Sequence, residues 1–305
     1  MGQDYTPVTI NEQLRSDLLA LVKLARDEDL RGGPDWTSWI TVGEVRRGRA
    51  DVVARAPGVA AGVELIETIL EPFDADIDVS LHLRDGQAFA RGDSLATLSG
   101  NVRDLLTTER TVLNLLCRLC GIAALTARYV DSMGQTKCRL YDTRKTTPGM
   151  RLLEKYAVRC GGGHSHRTGL HDGILIKDNH LALAHGDKPM STGEAVQIAK
   201  RLRGTQVEGR QTPSIIEIEV DTMQQFNNCL EFQPDIILLD NFRLEELRQA
   251  VSIRDSLESL TELEASGNVN LSTIADVAAT GVDRISSGAL THQAQSLDLG
   301  LDWLG

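Results

Sequence analysis

The chain has 305 residues, 41% hydrophobic and 25% charged, which is the composition of an ordinary globular protein with one large domain or two medium ones. A formal net charge of −11 and only 4% aromatic residues argue against a nucleic-acid binder, which needs positive surface and rings for base stacking. No run approaches the roughly 18 uninterrupted apolar residues of a membrane-crossing helix, and five widely spread cysteines fit a reduced, cytoplasmic setting without a disulfide framework.

The opening residues, MGQDYTPVTI, are polar and lack the apolar core of a signal peptide. A helix is expected over NEQLRSDLLALVKLARDEDL. β-like pieces follow in RADVVARAPGVAAG and DADIDVSLHLRDGQAFARGDSLATLSG, with turn signals at Asp85-Gly86 and Gly92-Asp93. These read as a separate α+β domain over 1–117. The segment TTERTVLNLLCRLCGIAALTARYVDSM predicts a long helix whose apolar positions nearly encircle it, so it should be buried. Within it, Cys117 and Cys120 form a CxxC, but the apolar helical setting makes them core residues rather than a redox or zinc pair.

From about 136 onward, strand runs alternate with amphipathic segments. The strands are CRLYDT, GILIKD, IIEIEV, DIILLD, LTELEAS and DRISSGA; the helices include MRLLEKYAV, GEAVQIAKRLR, LEELRQAV and STIADVAA. This predicts βαβ units and a parallel sheet, closed as an α/β barrel or open and doubly wound. Each apolar run stops at polar or small residues, and in an α/β barrel these strand ends share the rim on which active sites are built.

Residues 161–180, GGGHSHRTGLHDGILIKDNH, hold three glycines and four of the seven histidines. One glycine would cap the preceding helix; three suggest that backbone must also pass close to something. His164, His166, His171 and His180 lack the spacing and companions of a tetrahedral metal shell, and suit hydrogen bonding to an anion better. The cations carry more information. Arg144 and Lys145 follow one strand, Arg167 precedes the next, and Lys177 ends it. Arg presents a planar fork to carboxylates, and Lys a compact charge to phosphate. On the same rim Glu219 and Asp240 suit Mg²⁺ or ribose hydroxyls. Ser266-Gly267-Asn268 and Ser286-Ser287-Gly288 are small-residue turns able to form a phosphate nest. Together these residues describe a site for a phosphorylated sugar and a carboxylated partner.

The block DTRKTTPGMRLLEKYAVRCGGGHSHRTGLHDGILIKDNH resembles the signature of the quinolinate phosphoribosyltransferases. DEDLRGGPDWTS, APGVAAG, DGQAFARGD and LLTTERTVLNLLCRLCGIA upstream, and IEIEVD, IILLDN, LEASGN and ISSGALTH downstream, resemble family segments in the family's order. The resemblance implies an α/β subunit with an N-terminal α/β sandwich over 1–117 and an incomplete α/β, TIM-like barrel over 118–290, with the tail 291–305 packing back on the sandwich. It implies a cytoplasmic homodimer that binds neither membrane nor nucleic acid. Its reaction joins quinolinate to phosphoribosyl pyrophosphate with Mg²⁺, giving nicotinate mononucleotide, pyrophosphate and carbon dioxide in NAD biosynthesis.

Carried over by position, Arg144, His166 and Arg167 grip the quinolinate carboxylates, and Arg110 reaches the same substrate from the partner subunit. Lys145 and Lys177 contact substrate or donor. Glu219 and Asp240 hold the ribose hydroxyls and the metal, and Ser266, Gly267 and Gly288 cradle the 5-phosphate. Lys145, Lys177, Glu219 and Asp240 form the catalytic set. The chain departs from the family pattern at Ser165, where Asn is common, and at Asn268, where Gly is common. The alternative is a related phosphoribosyltransferase acting on nicotinate or on the substrate of the molybdenum-locus paralogue. Three arginines around the acceptor favour a dianion.

Overall fold

A computed structural model of the chain describes residues 4–184 and 189–304. Two compact units emerge. One gathers Val8–Ala127, Lys145–Gly163 and Leu290–Gly305 around an antiparallel sheet; the other gathers Met1–Pro7, Arg128–Arg144 and His164–Ala289 around a parallel sheet. Of these spans, residues 1–3, 185–188 and 305 lie outside the described residues, and the grouping speaks only for the rest. This grouping differs from the expected division at 117/118, because that cut falls inside a continuous helix and because Lys145–Gly163 packs with the antiparallel unit.

The antiparallel unit begins with helix α1 (Glu12–Leu30), which starts where Asn11 accepts a hydrogen bond from the Leu14 backbone N–H and buries Leu14, Leu18 and Val22 at helical spacing. Strands β1 (Arg47–Ala54), β2 (Ile77–Leu81) and β3 (Ser94–Asn101) follow, and then helix α2 (Val102–Met133). By length and apolarity α2 could cross a membrane, although its apolar residues are interrupted by polar ones. Its most apolar stretch has a mean hydropathy of 1.3 and is 61% buried inside the molecule. Cys120 is fully buried, and burial pushes its thiol up to about 12, so the CxxC is packing, not chemistry.

Strand β4 (Arg139–Tyr141) opens the parallel sheet; helix α3 (Arg151–Cys160) then belongs to the antiparallel unit. The sequence continues through β5 (Ile174–Ile176), α4 (Asp178–Ala182), α5 (Thr192–Leu202), β6 (Ile216–Val220), α6 (Met223–Leu230), β7 (Ile236–Asp240), α7 (Leu244–Ser256), β8 (Glu262–Ser266), α8 (Ile274–Ala278) and β9 (Arg284–Ser286). Strand β10 (Leu299–Leu304) closes the list, pairing antiparallel with β1, so the antiparallel order is β10-β1-β3-β2.

Among the described residues the parallel sheet has six strands, in the order β4-β9-β8-β7-β6-β5. All five pairings are parallel, as helical crossovers require. Among the described residues β4 and β5 are not paired with each other, so the α/β architecture stands and barrel closure does not follow from the strand order. Every carboxyl end falls on one edge, and with it the polar residues that end each strand.

Candidate active site

Register decides which side chains share a face. Glu217 and Glu219 alternate with buried Ile216, Ile218 and Val220 on β6, and Glu262, Glu264 and Ser266 alternate in the same way on β8. Asp240 lies opposite Ser266, and Glu264 opposite Arg284. One face of the parallel sheet is therefore polar, and burial divides it into two tiers: a fully buried deep tier at Glu217, Glu264 and Arg284, and a half-buried outer tier at Glu219, Asp240 and Ser266.

In the outer tier, the Lys177 ammonium donates to the Glu219 carboxylate across neighbouring strands. Burial raises the Glu219 carboxyl above its ordinary range; Lys177 pulls it down and Asp240 pushes it back up. The two acids thus feel one another, and their oxygens are the hard donors that Mg²⁺ prefers. Asp240 also accepts from the Asn241 side chain at 2.7 Å.

Asn241 ties the next turn together. Its backbone N–H donates to Ser266 O at 2.9 Å, and its Oδ1 accepts from Asn268 Nδ2 at 3.0 Å. Gly267 has φ +90°, and a Cβ there would lie 2.2 Å from Asn241 Oδ1. Asn268 is left-handed at φ 51°, the conformation Asn tolerates, so the departure from Gly keeps this turn's shape. Gly288 follows β9 by two residues, after buried Ser286 and Ser287.

Arg167 is 5% exposed, and its Nη1 donates to Gly173 O at 3.1 Å. Burial lowers its pKa, against the raising influence of Tyr5, and Arg144 lowers it further. Arg144 itself is exposed three residues beyond β4. The structure thus brings Arg144 and Arg167 within electrostatic reach of each other in one unit.

Lys145 and Arg110 fall in the antiparallel unit. The Lys145 carbonyl accepts from Thr291 Oγ1 at 2.6 Å. Its loop is pinned by fully buried Glu154, which accepts from the Thr147 N–H at 3.0 Å and pairs with Arg118 at 2.7 Å. The Arg110 side chain is 67% exposed on α2, 3.6 Å from Glu109.

His166 differs from expectation. It is 5% exposed, with Nε2 at 3.1 Å from Glu217 and 3.5 Å from Glu264. Burial alone would lower the imidazole pKa, but these carboxylates outweigh it and raise it to about 10. The Arg167 backbone N–H approaches Nδ1 at 2.8 Å, a contact that favours the neutral ring. The two buried carboxylates beside Nε2 outweigh both burial and this contact, and they hold the ring as an imidazolium. In this structure Nε2 is turned towards both acids, and His166 forms an inward ion pair.

Within the described residues, His166, Glu217 and Glu264 are also the three whose ligand atoms approach metal-site spacing, within 4.8 Å. The cluster is already balanced by Arg284, whose Nε donates to Glu264 at 3.0 Å. The run Gly161–Gly163 makes room as expected: Gly162 has φ +88°, and a Cβ on Gly161 would lie 2.3 Å from Ala123 O.

Glu217, Glu264 and Arg284 were not among the expected site residues. Their signal was present as charges at alternate positions in otherwise apolar strands. Tyr5 and Asp4, which reach the same cluster, gave no local signal at all.

These features define a class: an α/β protein with a mixed-charge site for multiply anionic small molecules, built at the carboxyl ends of parallel strands. Comparison with known proteins specifies it further. Residues 35–120 match the family described as quinolinate phosphoribosyl transferase, N-terminal domain, and residues 122–302 match the corresponding C-terminal domain. The nicotinate-nucleotide pyrophosphorylase [carboxylating] of Mycobacterium leprae is 42% identical over 284 residues, spanning 92% of this chain and 95% of the relative. A probable enzyme of that name in Bacillus subtilis is 38% identical, spanning 90% and 89%. The solved nicotinate-nucleotide pyrophosphorylase of Francisella tularensis superposes with a TM-score of 0.85 at 35% identity, covering 97% of this chain and 98% of its own. The chain belongs to the quinolinate phosphoribosyltransferase family.

Proposed function

We propose that the protein transfers phosphoribosyl from phosphoribosyl pyrophosphate to quinolinate with loss of carbon dioxide, yielding nicotinate mononucleotide and pyrophosphate for NAD biosynthesis. The observation that carries this reading is the outer tier itself, where Lys177, Glu219 and Asp240 meet on adjacent strand ends beside the Gly267 turn, with Arg144 and Arg167 in the same unit.

Arg144 and Arg167 hold the two acceptor carboxylates, and Arg110 of a second copy reaches the same acceptor in a homodimer. Ser266, Gly267 and Gly288 hold the 5-phosphate through backbone N–H groups. Glu219 and Asp240 bind the ribose hydroxyls and hold Mg²⁺, which supplies charge neutralisation to the pyrophosphate. Lys177 and Lys145 complement the leaving-group charge.

The acceptor nitrogen forms a bond to ribose C1 as the C1–O bond to pyrophosphate breaks. Positioning and charge stabilisation are the protein's main contributions. The ring is then a pyridinium, so the C–C bond to the adjacent carboxylate breaks with its electron pair drawn into the ring, and a proton replaces the carbon dioxide. No enzyme nucleophile is required. The six-stranded sheet fits an incomplete TIM-like barrel whose two edge strands stay unpaired, and a cytoplasmic setting fits the reduced cysteines.

The test is an acceptor comparison with phosphoribosyl pyrophosphate and Mg²⁺. Quinolinate should be converted to nicotinate mononucleotide and nicotinate should not. Turnover of nicotinate with quinolinate inert would transfer the reading to the alternative acceptor.

A further inference from the structure

The first described residues of the chain reach the deep tier of the sheet face. Tyr5 is 4% exposed; its hydroxyl donates to Glu217 Oε2 at 2.8 Å, and its ring stacks on His166 with centroids 4.7 Å apart. Asp4 anchors this segment. It accepts from Arg139 Nη1 at 2.8 Å, from the Tyr141 hydroxyl at 2.7 Å and from Arg284 Nη1 at 3.2 Å. Burial and the Glu217 charge keep the Tyr5 phenol protonated, so it is a permanent donor.

Tyr5 also packs against Gly173: a Cβ on that glycine would lie 2.7 Å from Tyr5 Cε1. Gly173 is the residue whose carbonyl accepts from the Arg167 guanidinium at 3.1 Å. Arg167 is therefore bracketed. Its preceding residue, His166, is stacked on the Tyr5 ring and paired with the carboxylate that Tyr5 holds. Its guanidinium rests on the carbonyl of Gly173, the glycine whose Cα side the Tyr5 ring covers. Both supports end on one side chain.

We propose that Tyr5 is a positioning residue for Arg167, and that Asp4 clamps it in place, so the N-terminal segment sets the aim of the acceptor-binding guanidinium. This rests on the proposed role of Arg167 in holding an acceptor carboxylate. Tyr5 touches no substrate in this account and acts through Glu217, His166 and Gly173.

The test uses the full-length chain with Tyr5→Phe, which keeps the ring and removes its hydrogen bond, and Asp4→Asn, which keeps the shape and removes the charge. A misaimed guanidinium should raise KM for quinolinate roughly tenfold while KM for phosphoribosyl pyrophosphate stays within about twofold. Gly173→Ala, which drives a methyl into the Tyr5 ring, should reproduce the same acceptor-specific defect. A purely structural role would instead reduce the active fraction, lowering kcat and leaving both KM values in place. In parallel, ¹⁵N spectra of the Arg167 guanidinium, assigned with Arg167→Lys, read its immobilisation without any substrate. Loss of the slowly rotating signal in Tyr5→Phe is expected. An unchanged Arg167 signal overturns the proposal, as does an unchanged quinolinate KM in a folded, active variant. Failure of the native protein to turn over quinolinate would sink the functional reading instead, and the guanidinium spectra would still decide the positioning claim.

Discussion

Replacing Arg284 with Met is the sharpest probe of the deep tier. The Arg284 side chain is 0% exposed, and Nε and Nη1 donate at 3.0–3.2 Å to Glu264, Glu262 and Asp4. Its guanidinium also lies 3.8 Å from the centre of the Tyr141 ring. Met fills much of the same volume but removes the guanidinium, leaving Glu262 and Asp4 with Arg139 and Glu264 with His166 alone. Glu262 and Asp4 keep access to water, with side-chain exposures of 18% and 31%, so most of the loss falls on Glu264 at 0%. Removing one partner of a buried pair costs about 3–5 kcal/mol. With a urea slope of about 2 kcal/mol/M, the unfolding midpoint should fall by roughly 1.5–2.5 M. The assay is urea unfolding at neutral pH, followed by far-ultraviolet circular dichroism. Adding Glu264→Gln to Arg284→Met removes the stranded charge and should restore about half of the loss or more. The reasoning is refuted if Arg284→Met unfolds within about 1 kcal/mol of the native chain, or if the double variant is no more stable than the single one.

Two other consequences are open to measurement. His166 has a pKa near 10 in the fold, above its unfolded value of about 6.5. Its contribution to stability is thus complete below about pH 6.5 and is lost as pH rises towards 10, so the melting temperature should decline across that window, and less steeply in Glu217→Gln; a decline equally steep in Glu217→Gln speaks against the ion pair. Gly267→Ala must hold φ +90° with a Cβ 2.2 Å from Asn241 Oδ1. It should cost about 1–3 kcal/mol in backbone strain and raise KM for the phosphoribosyl donor more than for the acceptor; equal effects on both would dissociate this turn from the phosphate.

How much of this could be read in advance depended on the range of the interaction. The six parallel strands and the residues at their ends are local patterns, an apolar run followed by a polar stop, and the sequence displays them directly. The glycine run is local in the same sense. The deep tier is not. Tyr5 meets Glu217 across 212 positions and Asp4 meets Arg284 across 280, so no periodicity links them. The alternation in IIEIEV puts Glu217 on the same face as Glu219, but only long-range contacts show that His166 and Arg284 neutralise that layer. For the same reason the ion pair of His166 was not legible: the sequence shows its neighbour Arg167, while Glu217 and Glu264 lie on separate, distant strands. The antiparallel unit illustrates a different limit. Chain order suggested a boundary near 117, yet contact groups Lys145–Gly163 with that unit, because α3 and the Glu154 network pack there.

The central claim is a coupled ribosylation and decarboxylation at the outer tier. The most direct measurement is release of labelled carbon dioxide from quinolinate carrying the label in the carboxyl next to the ring nitrogen, with phosphoribosyl pyrophosphate and Mg²⁺ present. The account predicts release that depends on the phosphoribosyl donor, matches pyrophosphate one for one, and is abolished in Lys177→Ala. Pyrophosphate formation without labelled carbon dioxide, or release that persists without the donor, would contradict it.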